Sequence, residues 1–427
     1  MAAKYGDIIH LRVLGQTLIL LGSREAVFEL LEGRSATYSD RGMSTMISLM
    51  GWEWNMTMMP YGQTWRRHRR IFHQCFHRET IEVYQPEQLR ATHRLLQRLS
   101  LQPLQFIQHT RHTFSAIMLN VAYGMQVAEA DDKYIKIAEK AVQTANDLQP
   151  GSYLVEHFPI LRFVPAWVPG AGFQRKAAKW RKDVLALREV PFAAAKTAIN
   201  NGSCSSSITS ALMEEISQLD DASAHEKEEV AKNVTGITYA AGVDTTLAAT
   251  RIFFLAMVLY PEVQKRAQAE LDAIVGSRQL PDFSHRDSLP YINAMVKECL
   301  RWQVVVPFAL PHRCMVDDEY KGYYIPKGSL VMANSWALLH DPAVYPDPDE
   351  FKPERFLKDG QLDPEVTDPS TMAFGYGRRL CPGRHFAESS LWLIIASVLH
   401  VFDIGPPLDA KGQAMNVEPK MTSGLLS

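Results

Sequence analysis

The sequence predicts a mainly α fold with a small sheet component. Three observations carry that expectation. Residues 62–147 are mostly helical in pattern, residues 225–260 read as one helix of about ten turns, and strand signals are confined to residues 7–22 and 323–333. Hydrophobic residues are 46% and charged residues 22% of the 427, which argues for a folded chain and against extensive disorder. That length would allow several domains or one large helical one.

In chain order, residues 8–13 and 17–21 read as two strands around Gly15. Ser23 then caps a helix carrying Ala26, Val27, Leu30 and Leu31 at helical spacing. Residues 150–172 are rich in Pro, Gly and aromatics and read as a loop or broken helix pair. Residues 200–207 form a short flexible linker, not a domain boundary. A further helix is expected over 290–301. Residues 323–325 and 329–333 read as a hairpin around Pro326-Lys327-Gly328. Residues 342–356 form a Pro-rich meander, and a last helix runs from Pro382, at its first position, to His400.

Bulk properties exclude several function classes. The net charge of −2, from 45 basic and 47 acidic residues, does not ask for nucleic acid. Five sparse cysteines are neither a disulfide framework nor a zinc pattern. No run of 18 apolar residues suggests a membrane span, and Met1–Tyr5 has no signal-peptide character. No G-x-G-x-x-G stands in a strand–helix context, so nicotinamide binding is not expected in this chain.

The sharpest segment runs from Phe374 to Gly383. There a glycine-containing loop delivers Cys381 to a helix start, where free N–H groups and the helix dipole favour thiolate. Pro382 has no N–H, so the donors must follow it. A lone cysteine is more often structural, but the spacing F-x-x-G-x-R-x-C-x-G fixes five positions at once. In the long helix, Ala241-Gly242-Val243-Asp244-Thr245-Thr246 groups residues that weaken a helix interior. A kink stabilised by threonine back-bonding is the plain explanation, and an acid–alcohol proton relay is the functional one. Glu298 and Arg301 stand at i and i+3 on one helical face. Glu87 and Arg90 share that spacing.

The cysteine segment resembles the haem-binding signature of the cytochrome P450 family, and the resemblance extends along nearly the whole chain. It implies the cytochrome P450 fold, an α-helical bundle with small sheets around haem b, as a single domain over 1–427. Cys381 is then the axial ligand of the haem iron and Phe374 shields it. Trp65, Arg69, His312 and Arg379 contact haem propionates, although a buried histidine such as His312 is often no more than a satisfied core residue. Glycines of the loop would let backbone approach the porphyrin. Gly242 would open an oxygen groove where the long helix parts locally, and Asp244 and Thr245 would deliver protons. Glu298, Arg301 and Arg355 would form a structural network behind the haem; their position between the long helix and the cysteine loop selects them over Glu87 and Arg90.

By the same resemblance the reaction is monooxygenation. One atom of O2 enters a lipophilic substrate (a terpenoid, polyketide, other secondary metabolite or xenobiotic), with electrons from NADPH through NADPH-cytochrome P450 reductase. Arg66, Arg67, Arg69 and Arg70 with Arg378 and Arg384 would dock that donor, and a monomer is expected. Substrate segments are placed at 43–54, 304–310 and 422–425. The segments around Gly51-Trp52-Glu53-Trp54 and Pro165-Ala166-Trp167 are similar to those of fungal enzymes grouped with O-methylsterigmatocystin oxidoreductase. Set against that family, the sequence is expected to be without the N-terminal membrane anchor and the last C-terminal strand. The family expectation is the endoplasmic reticulum surface, while this chain has no span of its own. Two alternatives share the haem-thiolate core: an isomerase or dehydratase needing no reductase, and a truncated haem-binding remnant without turnover.

Overall fold

The computed structural model describes residues 5–148 and 152–420. The long helices, in chain order, are α1 (Gln63–Phe76), α2 (Gln85–Leu101), α3 (Phe106–Tyr123), α4 (Lys133–Asn146), α5 (Gly172–Asn200), α6 (Ile208–Ile216), α7 (Asp221–Leu259), α8 (Pro261–Ile274), α9 (Pro290–Trp302) and α10 (Arg384–Val401). The architecture is mainly α, as the sequence patterns require.

Helix α7 is the axis. Its 39 residues span roughly 58 Å at 1.5 Å per residue. Asp220 caps its start by accepting from the Ser223 N–H at 3.0 Å. Pro261, lacking an N–H and clashing with a continued helix, ends it and opens α8. Helices α1, α3, α5 and α10 pack around it. Apolar surface on all sides is the mark of a core helix. Among the described residues, α7 alone has the length and composition to cross a membrane, and most of its apolar window is buried in the protein.

Strands β1 (Ile8–Val13) and β2 (Gln16–Leu21) form the first expected pair, with Val13 opposite Gln16. The remaining strands are β3 (His312–Arg313), β4 (Asp318–Tyr320), β5 (Tyr323–Ile325) and β6 (Leu330–Ala333), followed by the two-residue pair Leu357–Lys358 and Gln361–Leu362. The main sheet has the order β1-β2-β6-β3. The expected hairpin between 323–325 and 329–333 is not formed. β5 pairs with β4, while β6 runs parallel to β2 and antiparallel to β3. The tight turn lies at Lys321-Gly322, whose φ values of 51° and 80° are both positive, the geometry of a two-residue hairpin turn. After Pro326 the chain returns to Cys314 instead: Gly328 N–H donates to its carbonyl at 2.8 Å, and Cys314 N–H to that of Ser329 at 2.9 Å.

The broken segment resolves into a helical turn, Leu154–His157, and a 3₁₀ turn, Pro159–Phe163. Residues 200–207 make a turn between α5 and α6, with Ser207 capping α6. Helix α10 starts at Arg384, two residues later than expected, because Cys381 is still held in the loop by its bond to Phe374. Two hydrophobic clusters make the core. One surrounds α7 and includes Phe386 of α10; the other lies against the sheet and includes Tyr376. Cys381 sits in the chain between those anchors.

Candidate functional site

The cysteine loop is closed on itself. Cys381 N–H donates to the Phe374 carbonyl at 2.8 Å. Gly375 and Gly377 take φ values of 81° and 57°, which favour glycine. Gly377 N–H donates to Glu32 Oε1 at 2.7 Å, and a Cβ there would stand 2.1 Å from the Leu31 carbonyl oxygen. The need for glycine at 377 therefore comes from that close backbone approach, not from a porphyrin. Burial pushes the half-buried Cys381 thiol up in pKa. The Gly383 N–H, Arg69 and Arg384 pull the other way, toward thiolate. Arg69 Nη2 donates to the neighbouring Leu380 carbonyl at 2.6 Å.

A buried basic cluster adjoins the loop. Arg379 donates through Nε to Ser39 O at 2.6 Å and through Nη2 to Met59 O at 2.7 Å. Its guanidinium carbon lies 4.5 Å from the ring centroid of buried Trp65. His312 Nδ1 donates to Tyr38 O at 2.7 Å, so the neutral ring keeps Nε2 bare. Arg41 was not singled out by sequence reasoning. It is buried and donates through Nη1 to Leu310 O and Pro311 O, both at 2.6 Å, and through Nε to Thr57 O at 3.3 Å. Burial, then Arg379, pushes Arg41 down to about 9. Burial likewise pushes Arg379 down to about 10, and burial with Arg41 holds His312 well below the usual histidine range. The offsetting carboxylate is Asp40, whose Oδ1 already accepts from the Tyr61 N–H at 2.6 Å.

Across the core, α7 remains helical throughout, so the expected local opening is not seen. Thr245 Oγ1 donates to Ala241 O at 2.7 Å and Thr246 Oγ1 to Gly242 O at 2.8 Å. This is the back-bonding that lets a hydroxyl sit inside a helix. Ala241 is exposed, with Thr245 and Ala248 partly so, at the i, i+4, i+7 spacing of one face, while Val243, Thr246 and Leu247 are buried. Gly242 points elsewhere: a Cβ there would stand 2.4 Å from Met118 Sδ of α3. Close packing of α7 on α3 explains that glycine, and the exposed position belongs to Ala241. Asp244 Oδ1 accepts from Arg111 Nη1 of α3 at 2.6 Å, a partner the sequence did not reveal. Among the described residues no direct hydrogen bond joins Asp244 to Thr245.

Glu298, Arg301 and Arg355 are brought together. Arg301 grips both carboxylate oxygens of Glu298, at 2.7 and 2.8 Å, and Arg355 Nε donates to Oε1 at 3.1 Å. Lys352 N–H adds a donor at 2.7 Å, while the remaining guanidinium groups reach the carbonyls of Leu339, Pro348, Glu350 and Asp347. Glu87 and Arg90 pair with each other, and Arg90 with Gln126, toward the surface of α2.

The donor set fits haem b. Arg41, Arg379 and Arg69 direct their N–H groups at carbonyl oxygens, and among the described residues none of the three forms a salt bridge, so two propionates would relieve a buried excess of positive charge. Among the described residues no cluster of three or more His, Cys, Asp or Glu could hold a metal ion. A single thiolate ligand suits an iron whose equatorial ligands come from a porphyrin. Together these features describe a helical protein with a half-buried cysteine on a closed loop beside a basic cluster, a donor set that fits a haem-thiolate protein.

The comparisons agree. The Cytochrome P450 family pattern matches residues 1–423. The chain is 43% identical to cytochrome P450 monooxygenase COX2 of Coprinopsis cinerea, over 98% of this chain and 80% of that protein. It is 44% identical to cytochrome P450 monooxygenase 98 of Postia placenta, over 96% and 79% of the two chains. Identity to tryptamine 4-monooxygenase of Psilocybe cyanescens is 42%, over 98% and 83%. The chain belongs to the cytochrome P450 family, whose members are haem b oxidoreductases.

Proposed function

We propose that the chain inserts one oxygen atom of O2 into a lipophilic small molecule, taking electrons from NADPH through a reductase. The observation that carries this reading is exposed Ala241, with partly exposed Thr245 on the same face, within the mostly buried stretch 230–257 of α7. Bound haem supplies oxygen activation, and the Cys381 thiolate pushes electron density onto its iron. Cys381 is the proposed ligand, shielded by Phe374, and Trp65, Arg69, His312 and Arg379 are the proposed propionate contacts. Thr245 presents a hydroxyl at the open face. Asp244 is the proposed acid behind it, with Arg111 holding the carboxylate when it is not handing on a proton. Phe308, 46% exposed within a largely apolar segment, supports an apolar substrate. The 422–425 segment lies outside the described residues.

Arg66, Arg70 and Arg378 are exposed, and Arg66 and Arg378 both stack on Tyr61, which supports an acidic donor protein on this face. Arg67 is engaged by Glu226 and Arg69 is turned inward. Leu154, Phe158, Ile160, Phe163 and Trp167 are exposed within fourteen positions, Trp167 at 81%, which supports contact with a membrane surface; that this surface is the endoplasmic reticulum and that the chain is a monomer are proposed from the family.

The test is Thr245→Ala in the haem-loaded protein with NADPH and reductase. Hydrogen peroxide released per NADPH should rise, and organic product per NADPH should fall by about 10². Unchanged coupling would remove Thr245 from proton delivery. Product formed without NADPH would favour the isomerase or dehydratase reading.

A further inference from the structure

Helix α1 lies between the proposed cofactor contacts Trp65 and Arg69 and the exposed Arg66 and Arg70, proposed to meet the electron donor. Its position therefore matters on both sides. One anchor is the bond from Arg69 to the Leu380 carbonyl beside the cysteine. A second runs through His68, a buried histidine that takes no part in the chemistry proposed so far. Its Nδ1–H donates to the Thr64 carbonyl at 2.8 Å, so Nε2 is bare and accepts from Asn233 Nδ2 of α7 at 3.0 Å. Asn233 Oδ1 in turn accepts from Arg188 Nε of α5 at 2.7 Å. Arg188 Nη1 and Nη2 reach Glu189 and Glu229, and Lys232 bridges the same two carboxylates at 3.1 and 2.8 Å. One file of hydrogen bonds thus joins α5, α7 and α1.

Both ends of the file require the same order. Arginine can only donate, so Asn233 turns its oxygen to Arg188 and its NH2 to His68. The Thr64 carbonyl can only accept, so Nδ1 carries the hydrogen. A proton on Nε2 would set N–H against N–H inside a buried chain. Burial, with Arg188 adding to it against the Thr64 bond, holds the His68 pKa below its usual value. Glu189, Glu229 and Lys232 are engaged with Arg188 or with one another, and Arg67 of α1 itself pairs with Glu226 of α7. That last pair is exposed on both sides and adds little to the join.

We propose that His68 is a positioning residue for the reaction, its neutral ring being the buried joint that sets α1 against α7 and α5. The proposal rests on the monooxygenase reading above. The experiment measures how fast NADPH and reductase bring the haem-loaded protein to its reduced carbon monoxide complex, at a pH well above the ordinary histidine value of about 6.5. Asn233→Leu leaves the ring without its donor, and His68→Leu removes the ring. Each should slow the reaction roughly tenfold, in keeping with a lost buried hydrogen bond. His68→Gln keeps an acceptor for Asn233, and Asn233→Asp keeps a join by accepting from Arg188 and from a ring that then takes up a proton. Both should stay within about twofold of wild type. A wild-type rate in Asn233→Leu would overturn the proposal, as would a loss in His68→Gln as large as in His68→Leu.

Should the leucine variants fail to fold, a second measurement needs no donor protein. The unfolding free energy of the haem-loaded wild type, relative to His68→Gln, should fall as pH drops below about 6.5, because the unfolded histidine takes up a proton first. Parallel curves would mean that the ring is not held neutral, and the joint would be lost. Dithionite separates the two readings: a wild type that gives no carbon monoxide band with it has no haem, and the monooxygenase reading falls together with this one.

Discussion

Two buried arginine clusters lie in this protein, and they are built on opposite plans. In the cluster of Glu298, Arg301 and Arg355, one carboxylate receives both guanidinium groups, and the remaining N–H groups are matched to carbonyls. In the cluster of Arg41, Arg379 and His312, the offsetting carboxylate among the described residues is Asp40, already bonded to the Tyr61 N–H. The first is electrostatically complete within the chain. The second is complete only with added negative charge. A closed network serves as a brace, whereas an open one marks the place of a ligand.

The sharpest way to break this comparison is Glu298→Gln. It leaves two buried cations without their anion and should cost about 3–5 kcal/mol. Denaturant unfolding of the haem-free protein would measure it, with a loss under about 1 kcal/mol contradicting the brace. Arg379→Met should behave in the opposite manner. It removes a charge that already repels Arg41, so the haem-free protein should lose less than half as much stability as with Glu298→Gln. Haem retention should fall roughly tenfold to a hundredfold, as for lost hydrogen bonds to charged groups. Equal effects of Arg379→Met on haem-free and haem-bound protein would erase the distinction.

The smallest effect concerns His312, whose pKa is held well below the usual range by burial, then by Arg41 and Arg379. A depressed folded-state pKa means that the unfolded chain takes up the proton first. The contribution is therefore fully present above the unfolded histidine value of about 6.5 and is lost as pH falls below it. His312→Asn should flatten that part of the stability–pH curve of the haem-free protein. Identical slopes for the two proteins would show that His312 does not titrate on unfolding.

The two plans differ in how readable they were. The Phe374–Gly383 loop announced itself because closing a loop and offering a thiolate at a helix start require particular residues at fixed spacings. Glu298 and Arg301 share a helix face, and their order in the chain sets them apart from Glu87 and Arg90. Arg41 had no such signal. It stands in the short polar stretch Ser39-Asp40-Arg41-Gly42, and its partners Leu310 and Pro311 are about 270 residues away. Arg111 was silent for the same reason, since nothing local ties it to Asp244. A helix glycine such as Gly242 signals a close approach without saying from which side, and Met118 stands against it. The misassigned hairpin has the same origin: β6 finds its partner in β2, some 310 residues earlier, and Lys321-Gly322 was the turn overlooked.

The central claim is that Cys381 meets haem iron as a thiolate at the end of this loop. It is tested most directly by reducing the haem-loaded protein with dithionite, adding carbon monoxide and recording the Soret band. The account predicts a band at the long-wavelength position of a thiolate ligand, absent in Cys381→Ala. A short-wavelength band in the wild type, or an unshifted band in Cys381→Ala, would contradict it.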